Sequence, residues 1–118
     1  QELPSGEQII QGWDRVYQEI IPFANTLNKQ IIFTEIGYTV SVKAAREPWT
    51  SDHSDKVQGE YLQMLCLRIA LDKAKEHNQM AGLFLWKWFP ETQDFAHYED
   101  YNLQRPEIKH LLKELWND

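Results

Sequence analysis

Phe33-Thr34-Glu35-Ile36-Gly37-Tyr38 is the stretch that organises this chain. Gln30-Ile31-Ile32-Phe33 leads into it, with two β-branched residues and an aromatic that suit a strand. The run ends directly on a carboxylate. A glycine follows two residues later, then a tyrosine. This order predicts an acid at the C-terminal tip of a buried strand, with a permissive backbone and a flat ring beside it. Gln30 to Ile36 is almost continuously apolar, which predicts a strand covered on both faces, as in a parallel sheet.

The flanks are helical. Ser5-x-x-Gln8 fits a capping box, and Ile9, Trp13, Val16, Tyr17, Ile20, Ala24 and Leu27 repeat at helical spacing. Pro22 is expected to kink or split that helix near its end. Asn28-Lys29 turns into the strand. Thr39 to Asp55 shows no clean period, and a connection this long is often functional. Ser54 or Asp55 can cap a second helix, with Val57, Tyr61, Leu62, Leu65, Ile69 and Leu71 on its apolar side. Ala81 to Trp88 predicts a second buried strand. A polar loop from Glu91 to Gln104 leads to Pro106 at a helix start, and Ile108, Leu111, Leu112 and Leu115 make that last helix amphipathic.

The order is therefore helix, strand, helix, strand, helix. Strands alternating with helices imply βαβ units and an α/β fold with a parallel sheet. Barrel enzymes built from βαβ units keep their reacting groups at the C-terminal ends of the strands. Glu35 is the first candidate for chemistry on that ground, as a nucleophile or base that needs a partner acid. The plain alternative is a solvent-facing glutamate paired to a lysine.

Composition narrows the function classes. A net charge of −6 argues against nucleic acid, which calls for clustered Lys and Arg. No apolar run approaches the roughly 20 residues of a membrane span. Aromatics are abundant, with five Trp. Leu85-Trp86-Lys87-Trp88 closes the second strand, and Trp86 and Trp88, two apart, share one face. They are candidates for stacking on the C–H face of a sugar, against the alternative of core packing. Tyr38 and Trp49, in or near loops on the same side, are further candidates. His53, His77, His97 and His110 are scattered, without metal-ligand spacing. Cys66, alone in an apolar helix, is a core residue and rules out an internal disulfide framework. The acidic group Glu91, Asp94, Glu99 and Asp100 is a solvated loop, with calcium binding as the alternative. No phosphate loop, dinucleotide fingerprint or nucleophile elbow occurs.

Phe33-Thr34-Glu35-Ile36-Gly37-Tyr38, with Pro48-Trp49 after it, resembles the seventh strand and following loop of glycoside hydrolase family 113, (β/α)8-barrel β-mannanases of clan A. Leu83-Phe84-Leu85-Trp86-Lys87-Trp88 resembles the eighth strand, and Asn102-Leu103-Gln104-Arg105-Pro106-Glu107 the lead-in to the last helix. The resemblance implies that residues 1–118 form one partial domain, the C-terminal βα units of a TIM barrel. It implies a retaining glycoside hydrolase on β-mannan or a related β-linked glycan, without cofactor or metal. Glu35 would be its nucleophile, with Tyr38, Trp86 and Trp88 shaping the sugar subsite and Trp49 an outer platform. The family's acid/base is a second glutamate on the fourth strand, which has no counterpart in this chain. The alternative is a catalytically inactive glycosidase-like module used for carbohydrate binding or assembly.

A (β/α)8 barrel takes about 250 residues. The chain begins Gln-Glu-Leu-Pro, so a signal has been removed or this is a piece of something longer. The compartment stays open between cytoplasmic and secreted. Two parallel strands leave open edges, and the inner faces of Ile31, Phe33, Leu83 and Leu85 or their neighbours would be exposed. The chain is therefore expected to need the rest of a barrel, or self-association, and to be inactive alone.

Overall fold

A computed structural model describes residues 2–88 and 101–116. Its order is α1 (Gly6–Leu27), β1 (Ile31–Ile36), α2 (Lys56–Lys75), β2 (Met80–Leu85) and α3 (Pro106–Trp116). The two strands pair in parallel. The result is a mixed α/β arrangement consistent with part of an α/β barrel.

Ser5 and Gln8 form the capping box expected from their spacing: each side chain bonds the other's backbone N–H, at 3.2 and 2.9 Å. Pro22 does not split α1, which runs unbroken to Leu27. The carbonyl that loses its donor belongs to Gln18, on the exposed side of the helix, where water can take the place of the missing N–H. Asn28, at φ 54°, ends the helix in the left-handed conformation that suits Asn. Of the two candidate caps for α2, Asp55 is the one used, its carboxylate accepting from Gln58 N at 3.1 Å.

Helix α2 is the centre of the packing. Leu62, Cys66, Leu67, Ala70 and Leu71 are buried, but Val57 and Tyr61 are exposed. Of the expected apolar side, Leu62, Ile69 and Leu71 are buried and Leu65 packs on the core, while Val57 and Tyr61 give way to small and polar residues. Gly59 lets the Val40–Ser41 backbone pass so close that a Cβ would lie 2.9 Å from Ser41 N. Gln63 is fully buried as well.

The helices cover one face of the sheet. Phe33, Leu83 and Leu85 pack on the core of Ile36, Leu67, Ala70, Leu71, Leu103 and Ile108. Trp13 and Tyr17 of α1 hold Phe33 at ring-centroid distances of 5.8 and 6.2 Å. The other face is open: Ile32 is 55% and Phe84 66% exposed. The expectation of a strand covered on both faces is therefore corrected, since only the helix layer covers it among the described residues. β2 ends at Leu85 rather than Trp88. β1 stops at Ile36, whose carbonyl takes the last ladder bond from Trp86 N at 2.7 Å, and the next amide, Lys87 N, turns to Tyr101 O at 3.2 Å.

Gln63 ties three segments together. Its amide nitrogen donates to Tyr38 O at 2.8 Å and to Asn102 O at 3.1 Å. Its oxygen accepts from the Arg105 guanidinium. Arg105 also donates to Glu60 O at 3.1 Å and to the Glu107 carboxylate at 2.8 Å, which holds that carboxyl below its usual range. Replacing Gln63 with Leu keeps the volume but leaves two buried carbonyls and part of a guanidinium without partners. Each such group costs about 1–3 kcal/mol. Gln63→Leu in the complete polypeptide is expected to lower unfolding free energy by about 3 kcal/mol in urea denaturation, and a loss below about 0.5 kcal/mol, the range of an ordinary surface change, would contradict this account.

Candidate active site

Strict alternation along β1 would send Glu35 to the same face as Ile31 and Phe33, into the helix layer. The ladder prevents it. Phe33 pairs with Leu83 and Ile36 with Leu85, so three steps of β1 run against two of β2. This extra residue is a bulge, a device that re-aims side chains. It turns Ile36 into the core and leaves Glu35 exposed at the C-terminal end of the strand.

Glu35 lines an open cleft of about 190 Å³ with Gly37, Pro48, Trp49, Trp86 and Tyr101. The strand end of β1 supplies the carboxylate, and Trp86 follows β2 directly. Trp86 and Trp49, respectively 43% and 71% exposed, keep their rings available. The Lys87 ammonium lies 5.6 Å from the Trp86 ring centroid. The peptide bond between Trp86 and Lys87 is cis. Complete small-molecule sites measure roughly 300–1,000 Å³, so this cleft has the size of one wall of a site. Glu35 is its only carboxylate among the described residues.

The segment from Thr39 to Asp55 has neither helix nor strand, yet it is well anchored. Val40 and Ala44 are fully buried, Thr39 N donates to Pro48 O at 3.2 Å, and His53 Nδ1 bonds the Val40 carbonyl. Lys43 meets Asp52 at 3.0 Å, and that bond holds the Asp52 carboxyl down to about 2. The ion pair therefore persists through the neutral range. These contacts carry Pro48 and Trp49 to the cleft.

Gly37 fixes the distance between the two strand ends. A Cβ there would sit 1.9 Å from the Trp86 carbonyl oxygen and 2.9 Å from its carbon. Backbone cannot swing aside as a flexible side chain can, so only glycine allows Glu35 and Trp86 to share one cleft.

Of the residues singled out from sequence, Glu35, Trp49 and Trp86 come together. Tyr38 and Trp88 do not line the cleft with them. Tyr38 packs on both core clusters, with Trp13 of α1 against the first, and burial raises its hydroxyl above the usual tyrosine range. Trp88 is exposed, with the Lys109 ammonium 5.8 Å from its ring centroid. Cys66 is core, as expected, and burial pushes its thiol up to about 12. His97 and the acidic group from Glu91 to Asp100 lie outside the described residues. No helix among the described residues is long and apolar enough to cross a membrane.

Sequence reasoning passed over Tyr101, Gln63 and Arg105. Tyr101 falls in the polar stretch from Glu91 to Gln104, where nothing in the sequence sets it apart from Phe95 and Tyr98. It holds φ at 65°, a conformation that costs a bulky residue roughly 1–2 kcal/mol. Gln63 had a better signal, a polar residue between Leu62 and Cys66 on a helix face, where burial demands partners.

An acid, a tryptophan and loop aromatics at the carboxyl ends of parallel strands define the kind of site that α/β barrel enzymes use. The sequence model of Glycoside Hydrolase Family 113 matches residues 4–104, and the chain belongs to that family. It is thus a glycoside hydrolase by descent, mannanase-like, with carbohydrate as the implied substrate. Comparison with curated proteins and with solved structures gave no significant match.

Gly37→Ala tests the close approach. The added methyl must push Trp86 and β1 apart, with a cost of about 3 kcal/mol for overpacking against backbone. A matching fall in the chemical-denaturation midpoint of the complete polypeptide is expected. An unchanged midpoint would show that the two strand ends do not meet as described.

Proposed function

We propose that this chain carries the nucleophile half of a retaining glycoside hydrolase acting on β-mannan or a related β-linked glycan. The observation that carries the reading is the placement of Glu35: exposed, at the C-terminal end of β1, in a cleft shared with Trp86. A carboxylate there can attack the anomeric carbon of a sugar whose C–H face lies against a tryptophan ring. The bond to the leaving oxygen breaks as a glycosyl ester forms on Glu35, and a second carboxyl protonates that oxygen. Water, activated by the same second group, then hydrolyses the ester. The two carboxyls of such a pair stand about 5–5.5 Å apart.

The second carboxyl is to come from the rest of the barrel. The exposed faces of Ile32 and Phe84, and the open edges of the two-stranded sheet, call for further strands in the same way. Residues 1–118 are accordingly one partial domain, inactive by itself, whose sheet is completed by the remaining strands of a barrel or by self-association. A non-catalytic glycosidase-like module for binding or assembly is the second reading. It is favoured by the single carboxylate among the described residues of the cleft.

Turnover decides between them. In the complete polypeptide, Glu35→Gln is expected to lower kcat on an activated aryl β-mannoside by at least about a thousandfold, because the amide keeps the shape but cannot form the ester. An unchanged melting temperature would separate chemistry from folding. A near-normal rate would assign the nucleophile elsewhere, and a parent protein without turnover would favour the binding module.

A further inference from the structure

We infer that Gly59 is a positioning residue for the glycan site: the bare backbone it offers is the seat of the loop that carries Trp49 to the cleft. The inference rests on the reading of that cleft as a glycan site with Trp49 as one of its platforms, and it assigns the means by which the platform is placed.

Gly59 lies near the start of α2, where it is buried. Glycine is among the poorest residues inside a helix, so an unobstructed position would be better served by alanine. This position is obstructed. A Cβ there would stand 2.9 Å from Ser41 N and 3.1 Å from both Ser41 Cα and the Val40 carbonyl carbon. All three are backbone atoms, so no side chain can swing away to make room. The Val40–Ser41 peptide thus rests directly on the helix, and Thr39, Val40 and Ser41 are all fully buried.

From this seat the chain grips both sides of Trp49. Thr39 N donates to the Pro48 carbonyl at 3.2 Å, just before Trp49. The Val40 carbonyl bonds His53 Nδ1, on the far side of it. Lys43 meets Asp52 at 3.0 Å on that same side. Between these ties Thr50 N donates to the Glu47 carbonyl at 2.9 Å, which closes a tight turn over Pro48 and Trp49. Trp49 therefore stands at the tip of a turn whose two limbs are bonded to residues on and beside the Gly59 seat.

The Trp49 ring is mostly exposed and lines the cleft with Glu35 and Trp86. With little packing of its own, it stands where its backbone is held. A methyl at position 59 must lift the Val40–Ser41 peptide, and the limbs bonded to it move as well. Glu35 belongs to β1, which is held by its own ladder. Platform and carboxylate are then displaced relative to each other, and a glycan spanning both loses contact with one of them.

The test is a double-mutant cycle in the complete polypeptide with Glu35→Gln, which binds without turnover, titrated calorimetrically with a β-linked mannotetraose. Trp49→Ala is expected to weaken binding about tenfold, the usual scale for loss of an aromatic anchor. Gly59→Ala is expected to weaken it about fivefold, and the two together no more than about twofold beyond Trp49→Ala alone, because the seat acts through the ring. Independent effects would multiply to about fiftyfold. That result would overturn the inference, as would unchanged affinity in Gly59→Ala. With Glu35 intact, Gly59→Ala should raise KM for the tetraose more than it lowers kcat, which marks lost binding and not lost chemistry. A fall confined to kcat would contradict the inference. Should Gly59→Ala melt too low for titration, His53→Ala, which releases one limb from the Val40 carbonyl, takes its place in the cycle under the same criterion. Unchanged affinity in Trp49→Ala would remove the platform, and the inference with it, while leaving Glu35 in place. No binding of the tetraose by the Glu35→Gln parent would instead remove the glycan reading on which both rest.

Discussion

One extra residue in β1, between Phe33 and Ile36, sets the geometry on which the rest of this chain depends. Without it, the alternation that places Phe33 against Trp13 and Tyr17 would bury Glu35 among apolar groups. A lone carboxylate in such a place loses its hydration and gains nothing in return. The bulge resolves the conflict between core and site within three residues. Phe33 and Ile36 both face the helices, and Glu35 faces outward at the strand end. Gly37, next in line, leaves room for the Trp86 carbonyl, while Trp86 N closes the ladder on Ile36 O.

The layer behind the site is polar at its centre. Gln63 and Arg105 are both buried, and between them they bond the carbonyls of Tyr38, Asn102 and Glu60. The Tyr38 and Asn102 carbonyls belong to segments with no ladder of their own, the turn after β1 and the approach to α3, while the Glu60 carbonyl ties Arg105 to α2. Helix α2 thus supplies the hydrogen bonds that the loops lack, and does so from one side chain on one rigid element. Loss of that side chain would free Tyr38 and Asn102 together, which flank Gly37 and Tyr101 at the cleft. Stability and site geometry are coupled through the same amide.

Much of the architecture was legible in the sequence. The capping box at Ser5 and Gln8, the strand through Phe33, the Pro106 start of α3 and the core position of Cys66 all follow from local chemistry, and local chemistry decided them. The misses have a common cause. Val57 and Tyr61 fit the helical period, but α2 buries Gly59 and Gln63 in their stead, for close backbone approach and for hydrogen bonding. The second strand was expected to reach Trp88, but it ends where its partner ends, a fact about β1 and not about the sequence of β2. Tyr38 looked like a site residue because it follows Glu35 closely. It packs on the two core clusters instead. Tyr101 is distant in the chain, and the bond from Lys87 N to its carbonyl, which brings it to the cleft, is encoded by no spacing rule.

The outer face of the sheet and the cleft are open on the same molecule, and both fit one wall of a larger barrel. The central claim is that Glu35 is the attacking group of that larger site. Covalent trapping tests it most directly. A 2-deoxy-2-fluoro mannosyl fluoride slows hydrolysis of the glycosyl ester, and its fluoride leaving group reduces the need for an acid catalyst. The complete polypeptide would be treated with this reagent, digested and mapped by mass spectrometry. The account predicts a single fluoromannosyl adduct on the peptide that contains Glu35, absent from the Glu35→Gln protein. An adduct on a different carboxylate would contradict it.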